Sequence, residues 1–372
     1  MGVIGLRKVL GTMLCTVFML GLLVSAAWTK EPATPELTLN QAIARAIQHS
    51  MALKVAGLGV DKAGEHREYA SDQLTFTPVV GGSYDPRLEA AWYSLLSADL
   101  GWQMSKRSQN TEEDRLVLSS CQKYWDVLRA EEKVQVAELS LRKADLGLRK
   151  TRAQVQAGLS SPGMSPQLAL QTAEMALAGA KAGRVSAQND LDLAFATLNQ
   201  SIGLWPEDRP LLVDTVEFKP VEVHNLEAYI QRVLETSPNI WLAEEGVTMA
   251  KYAQELMWAS GQYTPYEIRK IEVKEAEYSA LSARDAVKLG TRELYYGLRG
   301  LEEAYITAEK GLETAEEALR VVWLMKELGM VTTVDVAERE AALAEAKQGL
   351  LDLACQHAYM KLAFQKPWAM TR

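Results

Sequence analysis

The chain has 372 residues, 48% of them hydrophobic and 24% charged, with a formal net charge of -8 at pH 7. That is enough for one large domain or two ordinary ones with a packed core. The acidic balance leaves no basic stripe to meet phosphates, which argues against nucleic acid as a partner. Glycine and proline are too sparse for a fibrous or disordered chain.

At the N-terminus, Arg7 and Lys8 precede an apolar run from Val9 to Val24, followed by Ser25, Ala26 and Ala27. This charged, apolar and small-residue order predicts a secretory signal over 1–27 and export to the cell envelope. The run is shorter than a usual membrane span. The alternative is an uncleaved N-terminal anchor. Cys15 lies inside the run after Leu14, not after a small residue, so it does not read as a lipid-attachment cysteine. Cys121 and Cys355 do not make a disulfide scaffold; both fall in helical patterns that suit buried thiols.

The chain then repeats itself. Leu39, Ile43, Arg45 and Ser50 recur at one constant offset as Leu226, Ile230, Arg232 and Ser237. Ala56, Val60 and Ala63 continue at that offset as Ala243, Val247 and Ala250. A second block, Glu174 with Leu177, Lys181 and Gly183, returns as Glu340 with Leu343, Lys347 and Gly349. Two matched blocks in one order predict a tandem duplication: a first helical repeat over 37–202, a proline-bearing linker over 203–224 and a second repeat over 225–364.

Each half reads as helix, middle connector, very long helix, tight turn and returning helix. The expected long helices run from Gln109 to Gln156, Pro166 to Ser201, Pro265 to Leu328 and Thr333 to Phe364. The first would be roughly 70 Å long at 1.5 Å per residue. Val127, Val134, Leu141, Leu148 and Val155 recur every seven residues, interleaved with Ala130, Ala137, Ala144 and Thr151. The other three long helices carry the same kind of seam, ending at His357 in the last. Large residues alternating with alanine let helices interlock closely, and the seven-residue period imposes a left-handed supercoil. The fold class is therefore all-α, with long antiparallel coiled-coil hairpins from two tandem repeats. At most a short β-hairpin is expected, over 75–102 in the first repeat, from strands near Thr75–Tyr84 and Ala91–Trp102. Periodicity alone also fits an antiparallel bundle with no passage through it.

Catalytic patterns are missing. His49, His66, His224 and His357 have none of the helical spacings of zinc or di-iron sites. Gly57, Gly59 and Gly64 have the wrong spacing for a dinucleotide loop, and no serine sits in a nucleophile elbow. The pairs Glu302–Glu303 and Glu316–Glu317 read as a solvated helix face. No enzyme activity, cofactor or metal is expected. Two turns stand out instead: Ala157-Gly158-Leu159-Ser160, and Leu328-Gly329-Met330-Val331-Thr332 leading into Asp335. In each, glycine can close one helix and a following Ser or Thr can cap the next. A plain hairpin turn would look the same.

The Leu37-Thr38-Leu39 opening with Ala42 and Ala46, the duplicated halves, the Ala-rich heptad helices and the Gly turns together resemble the TolC-like outer-membrane efflux family. The likeness runs from Leu37 to Phe364. It implies a passive export duct, a homotrimer whose paired helices form a tunnel and whose turns meet a periplasmic adaptor linked to an inner-membrane pump. By that resemblance Gly158, Leu159, Ser160, Gly329, Met330, Val331, Thr332 and Asp335 would touch the adaptor. Pro162-Gly163-Met164-Ser165-Pro166 is an insertion in the first turn relative to the family. The family's barrel takes two strands from the middle of each half. Here the second half offers only Trp258–Glu267, shorter than the two spanning strands required. The expectation is a barrel-reduced relative. The rival readings are a non-conducting coiled-coil scaffold of the envelope and, less well matched, a strand-rich adaptor.

Overall fold

The structure is a computed structural model that describes residues 35–76, 86–159, 165–256, 258–260 and 262–370. In chain order the elements are β1 (Glu36–Leu37), α1 (Leu39–His49), α2 (Met51–Phe76), α3 (Pro86–Gln156), α4 (Pro166–Ile202) and β2 (Leu211–Leu212). They continue as α5 (Leu226–Thr236), α6 (Pro238–Glu255), α7 (Tyr266–Glu327), α8 (Thr333–Gln365) and a closing 3-10 turn (Pro367–Met370). The leader expected at 1–27 lies outside the described residues. So do residues 77–84 of the first expected strand, Ser160, and Pro162–Met164 of the insertion.

The two longest helices set the shape. α3 has 71 residues and α7 has 62, so at 1.5 Å per residue they are rods of roughly 105 and 90 Å. In one half α3 packs against α2 and α6, and α6 packs against α7. In the other half α3 packs against α4 and α8, and α8 packs against α7. The result is a four-helix layer in each half: α2–α3–α6–α7 continuing into α4–α3–α8–α7, with α3 and α7 common to both.

The heptad seams are what these contacts bury. Val127 and Leu148 of α3, Ala187 and Leu198 of α4, Leu298 of α7 and Val336 of α8 are all buried. On α4 little besides that seam is covered, whereas α8 is shielded along most of its surface. That difference is what an edge helix and an inner helix should show. Ion pairs fix the antiparallel register of α3 against α8: Lys150 with Asp335 at 3.9 Å, Arg142 with Glu340 at 3.2 Å, and Lys366 with Asp114 at the far end.

The strand expected at Ala91–Trp102 is helix, the start of α3. Its tryptophans and tyrosine suggest a strand, yet Leu88, Ala91, Leu95, Ala98 and Trp102 are spaced three and four apart and all turn inward. That is a coiled-coil seam, and α2 covers it, with Arg67 bonded to Asp99 at 2.5 Å. In the segment Trp258–Glu267 the described residues form a turn and the first residues of α7, not a strand.

The core sits at mid-height, where α1 and the connection after α4 wrap α3. Tyr124 has no solvent exposure. Its hydroxyl donates to the Leu37 carbonyl and accepts from the Asp214 amide, both at 3.1 Å. Asp214 in turn caps α1 through the Leu39 amide at 2.7 Å. β1 and β2 form a two-residue parallel pair beside this bridge. Asn199 pins the same connection, donating to the Asp208 carbonyl at 2.8 Å.

Glu302 departs from the expected solvated face: it is 4% exposed, while Glu303, Glu316 and Glu317 are exposed. The segment after β2 lies over it. Glu302 accepts from the Val221 amide at 2.7 Å and from Arg299 at 2.8 Å. His357 is buried against it at 3.5 Å without a hydrogen-bond alignment. Phe218, stacked on Tyr305, closes the cluster. Burial holds the His357 imidazole below its ordinary range, with Glu302 opposing that shift.

Candidate functional site

The two Gly turns are built alike. At the end of α3, Gly158 takes φ of 71°, the Leu159 amide bonds the Gln154 carbonyl at 2.9 Å, and the Gly158 amide bonds Val155 at 3.1 Å. At the end of α7, Gly329 takes φ of 72°, with Met330 to Met325 at 2.9 Å and Gly329 to Lys326 at 3.0 Å. Both are Schellman caps, in which a left-handed residue satisfies the last helical carbonyls. The next helices are capped by side chains. Ser165 accepts from the Leu168 amide at 3.2 Å. The Asp335 carboxylate accepts from the Thr332 amide and from its hydroxyl, both at 2.7 Å. Those bonds hold the Asp335 carboxyl below its usual range.

The α3–α8 register brings both turns to one end of the rods. Leu159, Leu328 and Met330 are exposed there, at 68%, 75% and 70%. Gly329 and Thr332 are exposed and Val331 is partly covered. This tip is uncharged at its apex, with Lys150 and Asp335 just behind it. Leu328, beside the expected residues, is as exposed as they are. Only the Schellman geometry shows that it points outward.

A second surface was also not legible from the seams. α7 exposes Ile271, Tyr278, Leu289 and Tyr296, spaced to share one face. On the opposite edge, α2 exposes Val55 and Leu58, and α4 exposes Leu168, Met175 and Leu193. The signal was available as apolar residues lying off the heptad seam. Among the described residues no group of His, Cys, Asp and Glu is placed to hold a metal ion. Among them, too, no helix is long and apolar enough to cross a membrane.

No family model matches the chain, and no curated protein matches it. Solved structures do. The Campylobacter jejuni CmeC outer membrane channel aligns at TM-score 0.65 and 12% identity, covering 93% of this chain and 90% of that one. The chain has the TolC-type fold. The open state of the Neisseria gonorrhoeae MtrE outer membrane channel aligns at 0.61 and 17% identity, over 89% and 88% of the two chains. VceC, an outer membrane protein of Vibrio cholerae, aligns at 0.59 and 14%, over 89% and 96%. The TolC-type body thus accounts for nearly the whole described chain.

Proposed function

We propose that this protein is a subunit of a passive TolC-type export duct. It acts as a homotrimer in the cell envelope and docks a periplasmic adaptor, itself joined to an inner-membrane pump. In this reading the segment 1–27 is a secretory signal. The regions 37–202 and 225–364 are tandem repeats joined by the linker 203–224. The adaptor would meet Gly158, Leu159 and Ser160 of one turn and Gly329, Met330, Val331, Thr332 and Asp335 of the other. The duct is a conduit and not an enzyme.

One observation carries the reading. The layer ends in two different unpartnered apolar edges, α2 with α4 on one side and α7 on the other. An edge that pairs with a different edge of the next copy makes a head-to-tail contact, which closes into a ring when the rotation allows. The shared fold with outer membrane channels supports the same arrangement. A non-conducting envelope scaffold is the second reading, favoured by helix where α3 was expected to be strand.

The test is the mass of the purified protein by light scattering, beside the paired variant Met175→Glu/Leu193→Glu. A trimer for the parent and a folded monomer for the variant, shown by unchanged helical circular dichroism, are expected. A parent that stays monomeric at high concentration removes the duct and leaves the scaffold. Adaptor docking is read separately, through loss of adaptor binding in Gly329→Pro. Unchanged binding in variants of both turns sinks the docking role.

A further inference from the structure

The connection from β2 to α5 is a strap laid over α7 and α8. From Thr215 to His224 it makes no backbone–backbone hydrogen bond among the described residues. Side chains of the two helices hold it instead. The Phe218 ring stacks on Tyr305 of α7, with centroids 3.8 Å apart. The Lys219 carbonyl accepts from Lys361 of α8 at 3.0 Å. The Val221 amide donates to Glu302 Oε1 at 2.7 Å. A segment tied at a few points, with no ladder between them, opens more readily than the rods beneath it.

Under the strap lies His357, 1% exposed, whereas His49, His66 and His224 are exposed. Its ring is 4.7 Å from that of Phe218. Its Nε2 has no hydrogen-bond partner and lies 3.5 Å from Glu302 Oε1, the oxygen that already serves Val221. The other Glu302 oxygen accepts from Arg299 at 2.8 Å. The charged groups around the ring are Glu302 and Arg299 from α7, Lys361 from α8, and Glu217 with Lys219 on the strap, these last two paired at 2.5 Å. Tyr305 adds a phenol. Burial, reinforced by Lys361 and opposed by Glu302, keeps the folded imidazole neutral.

One carboxylate oxygen thus has two claimants. Beside a neutral ring, the Val221 amide keeps it. An imidazolium donates from both nitrogens, and the nearest acceptor for its Nε2 is that same oxygen. Aligning with it displaces the amide, and a buried charge also draws water. We propose that His357, Glu302 and the strap form a proton-operated latch, in which protonation of His357 releases Phe218–Val221 from α7 and α8 while the rods stay folded. The strap runs from the β1–β2 pair to α5, so its release loosens the tie between the mid-height wrap and the second half of the chain. The inference goes beyond the duct reading and does not depend on it.

The closed strap excludes the proton, and the open strap accepts it near the ordinary value of about 6.5. The latch is therefore closed above that pH and lost as pH falls below it. Between pH 7.5 and 5.5 the ratio of open to closed strap should grow about tenfold, while ordinary carboxylates stay ionised. Hydrogen–deuterium exchange with mass spectrometry on the full chain reads this ratio once rates are corrected for intrinsic chemistry. Peptides spanning 215–224 should exchange about tenfold faster at pH 5.5, while those of α3 and α8 stay protected. His357→Gln and His357→Leu should each make strap exchange equal at the two pH values. Two variants are used so that one found misfolded by circular dichroism leaves the other. His224, exposed at the end of the strap, is the rival proton acceptor, and His224→Gln should leave the tenfold rise intact. A parent strap indifferent to pH, a rise that survives in a folded His357 variant, a rise abolished by His224→Gln, or protection lost evenly along the rods would each overturn the latch.

Discussion

Replacing Tyr124 with phenylalanine isolates the hydroxyl that ties α3 to both ends of the mid-height wrap. The ring stays, fully buried, so neither apolar burial nor volume changes appreciably. Two hydrogen bonds of 3.1 Å are lost. The Leu37 carbonyl keeps the Val213 amide as a partner at 3.3 Å, so it is weakened and not orphaned. The Asp214 amide loses its partner in a part-buried site. With a typical net worth of about 0.5–1.5 kcal/mol per bond, the two together give about 2 kcal/mol. Urea unfolding followed by circular dichroism should show a lower midpoint at an unchanged slope. Amide exchange should rise at Leu39 of α1 and at Asp214 before it rises in α3. A loss under about 0.5 kcal/mol, or uniform exchange along α3, would refute the claim that this hydroxyl secures the wrap.

The remaining expectations concern glycine, histidine and cysteine. Gly329→Ala meets no atom within 4 Å, so its cost is the left-handed φ alone, about 1–2 kcal/mol by urea titration; Gly311→Ala, in open space within α7, should instead stabilise by about 0.5–1 kcal/mol. Because His357 stays neutral in the folded chain while the unfolded imidazole protonates below about pH 6.5, stability should rise with pH through the window below that value and fall on acidification. Urea midpoints at several pH values read this dependence, and His357→Leu should flatten it. Burial pushes the Cys121 thiol up to about 11 and the Cys355 thiol up to about 12, so iodoacetamide at pH 8 should modify neither until urea unfolds the chain, as mass spectrometry would report.

The long helices were legible because their signals are local. The heptads of α3, α4, α7 and α8, the proline at the start of α4 and the glycines at 158 and 329 place most helix ends within a residue or two of those observed. The start of α3 was not legible. Trp92, Tyr93 and Trp102 raise strand propensity, while the competing seam from Leu88 to Trp102 is decided only by α2 packing across it. Glu302 looked solvated because nothing local announces that residues near Val221 will cover it. The free edges were hidden in a different way. An apolar residue outside the seam, such as Met175 or Tyr278, acquires meaning only when the neighbouring position is found to be unfilled. The tip residues were nameable, but the outward aim of Leu328 depends on the cap geometry.

The cap of α1 has a consequence in time. Leu39 receives its capping carboxylate from Asp214, 175 residues further along, and β1 pairs with β2 from the same stretch. During synthesis at about 5–20 residues per second, the first helix, closed locally by the Thr38–Gln41 capping box, is complete in sequence some eight to thirty-three seconds before this second, distant cap exists. For that interval the apolar face of Ala42 and Ala46 can already pack on α3 and α4, but the Leu39 amide still lacks its carboxylate. The wrap is therefore the step that closes last, and a chain halted before residue 214 would hold its first helix by side-chain packing alone.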